Sequence, residues 1–323
     1  MQVSYFLTLI FTFVVTVVAA RVFIPVLKSV KMGQKILDIG PRWHKSKEGT
    51  PTMGGLFFIA ASLVPVIACA VWQRNYLLVI NYLFVLFNGM IGFIDDYVKF
   101  FKKRNEGLTA IQKLVLQFAV AAAYMYALHL SGTLSTSVRI PFADASLDLG
   151  AAYYIIVLVG IVFTVNSTNL TDGIDGLCAG VTAVGMVFFS VIAFKSVNVE
   201  AGVMSAAMLG GALGFLVYNF HPARVFMGDT GSLYMGAVVC SLAMMMDIPI
   251  ILLFVGIIYY IESVSVMIQV ISYKLTKKRV FKMTPIHHHF EMCGWNEVKI
   301  VFVFSIVTAI FSAIGCFGIV GIM

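Results

Sequence analysis

The chain has 323 residues, of which 60% are apolar and only 11% are Asp, Glu, Lys or Arg. That is too few charges to cover a soluble surface and too much apolar character for a disordered chain, so the sequence reads as an all-α polytopic membrane protein. In a soluble protein the net charge of +7 would raise nucleic acid as a partner. Here the basic residues sit between apolar blocks, where membrane topology accounts for them, and no nucleic acid is implied.

Apolar runs long enough for helical spans fall at about 3–24, 53–71, 76–94, 113–130, 152–168, 177–195, 201–219, 232–247, 249–272 and 299–321, about ten in all. The first lacks a basic leader region and reads as a retained helix. The eighth is short, hence tilted or sheltered by protein, and Pro249 marks its turn into the ninth. Ten spans put both ends on one side. All but three of the 22 Lys and Arg fall on the other side, the exceptions being Arg74, Arg139 and Lys195. This bias places both termini outside and five loops in the cytoplasm. The outer stretch 131–151 reads as a small hairpin, and no repeat or second domain interrupts a single unit over 1–323. The five cysteines are odd in number and widely spaced, which argues against a disulfide framework or a CxxC metal site.

Five polar segments share the cytoplasmic side. PRWHKSKEGTPTMGG, residues 41–55, combines Lys45 and Lys47 with Thr50, Thr52 and the Gly54–Gly55 pair. Lysines hold phosphate as point charges, although a plain basic loop has the same composition. GFIDDYVK, 92–99, sets Asp95 beside Asp96, and neighbouring carboxylates resist desolvation unless a divalent cation or lysines such as Lys99 compensate. Thr109 to Gln112 reads as a capping box opening the fourth span. In NSTNLTDGIDGLCAG, 166–180, Asn166, Asn169, Asp172 and Asp175 recur every three residues and would share a face on a helical turn. Polar groups at membrane depth are costly and usually functional. NFHPARVFMGDTGS, 219–232, supplies Asn219, His221, Arg224 and Asp229, with Asp229 or Thr230 near a helix N-cap, a position suited to phosphate or to simple capping. KMTPIHHHFE, 282–291, carries His287, His288 and His289, which cannot all face one way on a regular element. Glu262 stands alone inside the ninth span and must face protein, water or a partner helix.

Carboxylates, amides, lysines and histidines thus gather at one interface. That inventory suits Mg2+-assisted phosphoryl transfer to a membrane-bound phosphate better than transport, whose binding groups sit near the midplane. The sequence shows no P-loop, Rossmann or kinase motif that would point to ATP.

Five strings, GTPTMGG at 49–55, GFIDDYVK at 92–99, NLTDGIDGL at 169–177, FMGDTGS at 226–232 and PIHHHFE at 285–291, together resemble the phospho-N-acetylmuramoyl-pentapeptide transferases. These are the lipid I synthases of the polyprenyl-phosphate N-acetylhexosamine-1-phosphate transferase superfamily. The resemblance implies that UDP-N-acetylmuramoyl-pentapeptide and undecaprenyl phosphate give lipid I and UMP with Mg2+, the first membrane step of peptidoglycan synthesis. It also implies a homodimer among the lipids of the bacterial plasma membrane, a cytoplasmic catalytic face, and sensitivity to uridine-containing nucleoside inhibitors such as tunicamycin.

Carried residue by residue, the resemblance makes Asp229 the direct magnesium ligand, with Asp95 and Asp96 beside the reacting phosphates and Asp95 favoured as base. Asp172, Asn166 and Asn169 join that polar cluster. Asp175 resembles the residue that reads the uracil edge, Gly173 and Ile174 flank the uridine, and Phe226 stacks on it. Lys47 and Thr52 resemble nucleotide-binding residues and Asn219 an amide near the diphosphate. His288, with His287 and His289, resembles a donor to phosphate or sugar, and Lys113 a charge at the mouth of the site. Direct attack by the lipid phosphate and a two-step route through an Asp both fit. The rival readings are a sibling enzyme that loads N-acetylglucosamine-1-phosphate and, in another class, a transporter or flippase.

Overall fold

The computed structural model describes residues 2–29, 47–101, 107–143 and 145–320. Lys45 and the basic-loop residues Lys31, Lys35, Arg42, Lys102, Lys103 and Arg104 lie outside the described residues. The apolar runs form a bundle of long helices: α1 (Gln2–Ser29), α2 (Gly55–Gln73), α3 (Tyr76–Phe101), α4 (Ala110–Leu130), α5 (Ala151–Thr171), α6 (Leu177–Lys195), α7 (Val199–Asn219) and α8 (Gly228–Met245). A 3-10 turn at Pro249–Ile251 leads into α9 (Leu252–Val255), α10 (Ile257–Thr276), the short α11 (Ile286–Glu291) and α12 (Glu297–Val320).

Among the described residues, eight helices are long and apolar enough to cross a membrane, and nine if the bent pair 249–255 and 257–276 counts as one. Large apolar side chains such as Phe6, Trp72, Ile111, Phe302 and Phe317 point outward, so the chain is a multi-pass membrane protein that relies on lipid to cover them. The ninth span expected from the sequence is not straight. It breaks at Gly256 with a 77° bend between its two parts.

Helix α8 lies at the centre. Every residue from Thr230 to Met244 is buried, and the helix packs chiefly on α3, with further contacts to α5, α2 and α7. Its short length is therefore matched by protein on all sides rather than by lipid. Interhelical hydrogen bonds satisfy polar groups in this core: Asn81 Oδ1 accepts from Tyr124 Oη at 2.6 Å and from Ser241 Oγ at 2.9 Å.

The hairpin expected within 131–151 forms from β1 (Ser137–Arg139) and β2 (Ser146–Asp148), antiparallel, with Val138 opposite Leu147. The capping box also forms: Thr109 Oγ1 accepts the Gln112 N–H and Gln112 Oε1 accepts the Thr109 N–H. Side-chain and backbone contacts bring the ends of α3, α5 and α7 and the starts of α2, α4, α6, α8 and α12 together at one end of the bundle. The hairpin lies at the other end.

Candidate active site

Two polar clusters occupy that end. The first is built where α3 meets α8. Gly92 makes the approach possible, because a Cβ there would overlap the Asp229 backbone. One turn later, Asp95 and Asp96 are both buried. Each offers a carboxylate oxygen that, with one from Asp229, falls within a 4.8 Å group. Asp96 also caps α8: its oxygens accept the Asp229 N–H at 3.2 Å, the Thr230 N–H at 2.9 Å and Thr230 Oγ1 at 2.7 Å. Asp95 Oδ1 accepts the Leu108 N–H at 2.8 Å.

Cations compensate this density of carboxylates. Lys99 Nζ lies 2.6 Å from Asp95 Oδ2 and 3.1 Å from Asp229 Oδ2, and Lys113 Nζ lies 2.8 Å from the same Asp229 oxygen. Asn169 Nδ2 donates to Asp229 Oδ1 at 2.9 Å and to Ser232 Oγ at 2.8 Å. Three hard oxygen donors held close by buried helix ends suit a divalent cation such as Mg2+. Thr52 sits beside them, next to Gly228 and Asp96.

The second cluster joins four distant segments. Asp175 Oδ1 accepts Lys47 Nζ at 2.6 Å, while Asp175 Oδ2 accepts the Ala223 N–H at 2.9 Å and lies 3.0 Å from His221 Nδ1. Glu297, at the start of α12, takes Lys47 Nζ at 2.6 Å and the Asp175 N–H at 2.9 Å on Oε2. Asp172 lies between the clusters at the end of α5. Burial, then the negative fields of Asp229, Asp96 and Asp175, push its carboxyl well above the ordinary carboxylate range.

The polar stripe expected over 166–175 therefore divides, because α5 ends at Thr171. Asn166 and Asn169 stay helical, Asp172 caps, and Asp175 turns toward Lys47. Asn166 pairs its amide with Gln117 at 2.7 Å, one turn deeper than the acidic cluster. Gly173 is exposed, Ile174 is buried and Phe226 is half-buried. Backbone bonds zip the first and fourth polar segments together: Phe226 N–H to Pro51 O at 2.8 Å and Gly54 N–H to Phe226 O at 2.9 Å. Asn219 spends its amide internally, donating to Val225 O at 2.9 Å and accepting the Gly176 N–H at 3.1 Å.

The three histidines diverge. His287 is fully buried, with Nδ1 3.0 Å from Glu262 Oε1, and its ring packs against Gly173. That contact is the partner the isolated Glu262 required. His288 Nδ1 lies 2.6 Å from Glu291 Oε2. His289 Nδ1 accepts the Lys282 N–H at 3.1 Å. Sequence reasoning did not pick out Glu297 or Gln117 and gave Lys99 only as a counter-charge. Lys99 carries a local signal, standing four residues after Asp95, whereas Glu297 is joined to its partners only by the fold.

Comparison with known proteins follows the same segments. The glycosyl transferase family 4 model matches residues 77–247, and phospho-N-acetylmuramoyl-pentapeptide-transferase signature 1 matches residues 47–59. A phospho-N-acetylmuramoyl-pentapeptide-transferase of Caldanaerobacter subterraneus subsp. tengcongensis is 46% identical over 96% of each chain. The chain belongs to the phospho-N-acetylmuramoyl-pentapeptide-transferase family. Relatives of that name from Clostridium botulinum, 45% identical over 95% of this chain and 94% of theirs, and from Halalkalibacterium halodurans, 44% identical over 96% of each, agree. Membership in this family makes the chain a transferase. The family 4 match spans α3 to α8 and so includes Asp95, Asp96, Asp172, Asp175 and Asp229, while the signature covers Lys47 and Thr52.

Proposed function

We propose that this chain transfers phospho-N-acetylmuramoyl-pentapeptide from its UDP carrier to undecaprenyl phosphate, giving lipid I and UMP. The observation that carries the reading is the meeting of Asp95, Asp96 and Asp229 within one 4.8 Å group, adjoined through Asp172 by the Lys47–Asp175 pair. One cluster suits a diphosphate and the other a nucleoside. Asp229, Asp95 and Asp96 would hold Mg2+, which when bound would neutralise diphosphate charge and polarise the transferred phosphoryl group.

The chain's own groups do the rest. Lys113 and Lys99 hold residual phosphate charge, and Asn169 fixes the Asp229 carboxylate. Asp175, Lys47 and Phe226 bind the uridine. The lipid phosphate is already largely anionic near neutral pH, its second pKa being about 6. One of its oxygens attacks the β-phosphorus of the donor directly, the bond to the bridging oxygen breaks, and UMP leaves with that electron pair. Asp95 accepts any proton remaining on the nucleophile.

In this reading the chain is one catalytic unit over 1–323 with ten crossings, counting α8 and the bent α9–α10 pair. Both ends face outward and the site faces the cytoplasm of a bacterial cell, supported by the Lys/Arg bias. The homodimer and the uridine-type inhibitors rest on the family resemblance. The test is UMP release by purified protein. It should require UDP-N-acetylmuramoyl-pentapeptide, undecaprenyl phosphate and Mg2+ together, and UDP-N-acetylglucosamine should not replace the donor. Release with UDP-N-acetylglucosamine alone as donor would transfer the chain to the sibling activity. A phosphosugar adduct trapped on Asp95 without lipid would replace direct attack by the two-step route.

A further inference from the structure

Glu297 lies outside every motif that marks the site, yet it is the group on which two nucleotide-binding residues converge. We infer that Glu297 is a positioning residue for the uridine end, an inference that rests on the function proposed above. An acidic residue in the first turn of a helix is ordinarily satisfied by its own dipole and backbone. Glu297 instead directs Oε2 away from α12, to Lys47 Nζ at 2.6 Å and to the Asp175 N–H at 2.9 Å. These partners come from segments 250 and 122 residues away.

The first residues of α12 are themselves held in place. Asn296 Oδ1 accepts the Lys299 N–H at 2.8 Å, and Trp295 packs on Phe290 of α11 with ring centroids 4.7 Å apart. Glu297 is thus fixed before it meets its partners, and the two carboxylates that share Lys47 are buried: the Asp175 side chain is 1% exposed and Glu297 8%.

Removing the carboxylate has two consequences. The buried Asp175 N–H loses its acceptor, which loosens the turn that sets where the Asp175 carboxylate points. Lys47, now held between two carboxylates at 2.6 Å each, keeps only Asp175, so its ammonium loses the second anchor that fixes where it stands at the uridine end. Both effects weaken binding of the nucleotide without touching the acidic cluster, where the chemistry takes place.

The experiment uses the full chain in detergent, with UMP as probe by calorimetry and steady-state kinetics for both substrates. Glu297→Ala should weaken UMP binding and raise the donor KM about tenfold, with kcat and the lipid-phosphate KM within about twofold. Glu297→Gln keeps an oxygen for the Asp175 N–H and should lose only about threefold. With a Lys47→Met background the Glu297→Gln effect should shrink, because the two act through one contact. Unchanged UMP affinity in a folded Glu297→Ala, or a parallel fall of kcat and both affinities, would overturn the inference. If Glu297→Ala does not fold, Glu297→Gln decides by the same measure, and failure of both to fold would make Glu297 a residue of the fold instead. Failure of the underlying function would show separately, as a wild-type chain that neither binds UMP nor releases it.

Discussion

Lys113 and Asp229 stand 116 positions apart, yet the lysine Nζ donates to the Asp229 carboxylate at 2.8 Å. Asn169 takes the other oxygen, so the carboxylate is held at both ends. Asp229→Asn should leave the protein inserted and folded while UMP release falls at least about a thousandfold. Lys113→Met should lose about 10–100-fold, because Lys99 also reaches Asp229. Initial-rate assays at saturating Mg2+ check both, and full turnover by Asp229→Asn would remove it from the proposed metal site.

Asp96 is both a member of the acidic group and the cap of α8. Asp96→Ala strands three donors from Asp229 and Thr230. It should cost about 1–3 kcal/mol of stability in addition to activity. Thr230→Val removes only the hydroxyl donor and should cost about 1 kcal/mol. Chemical denaturation in detergent separates the two.

Glycine 92 sets the distance between α3 and α8. Gly92→Ala would push the Asp229 backbone away. Loss of UMP release and a lower melting temperature should therefore appear together, whereas Gly132→Ala, in open space at the hairpin end of the bundle, should leave UMP release intact.

Asp172 carries a pH signature. Its carboxyl lies well above the ordinary range because of burial and nearby acids. An acid raised in the folded state binds more protons there than in the unfolded chain. Stability therefore falls as pH climbs from about 4, the unfolded value, through the folded value, and the penalty is complete above it. Asp172→Asn should raise the melting temperature of the metal-free protein at pH 7.5 and flatten its decline above pH 5. A thermal-shift series in chelator measures this, and a lower melting temperature for the variant would contradict it.

The Glu262–His287 pair is fully buried, with His287 Nδ1 3.0 Å from Glu262 Oε1 and the His287 backbone N–H donating to Glu262 Oε2 at 3.3 Å. Glu262→Ala should destabilise by about 3–5 kcal/mol. Glu262→Gln, which keeps an acceptor, should cost about 1–3 kcal/mol. Unfolding transitions of the two variants provide the comparison.

Much of this architecture was legible from residue patterns, because span length and capping are local. The run from Thr109 to Gln112 announced its capping box, and the hairpin showed in its turn residues. Asp95 and Asp96 signalled a shared compensating charge. What could not be read was direction. A three-residue spacing made Asp175 look like a neighbour of Asn169, but the helix stops at Thr171 and the side chain turns to Lys47. His287 read like its neighbours and instead closes on Glu262. The 77° break at Gly256 was equally hidden, since apolar composition does not register a bend.

The enclosed position of α8 bears on how the protein is made. A segment that opens with Asp229, Thr230 and Ser232 and is only 18 residues long partitions poorly from the translocon into lipid by itself. It must be retained by helices already inserted, above all α3 and α5, which it packs against. Biogenesis and catalysis are thereby tied to one segment: the polar turn that makes the helix a reluctant membrane span is the turn that brings Asp229 to the other acids.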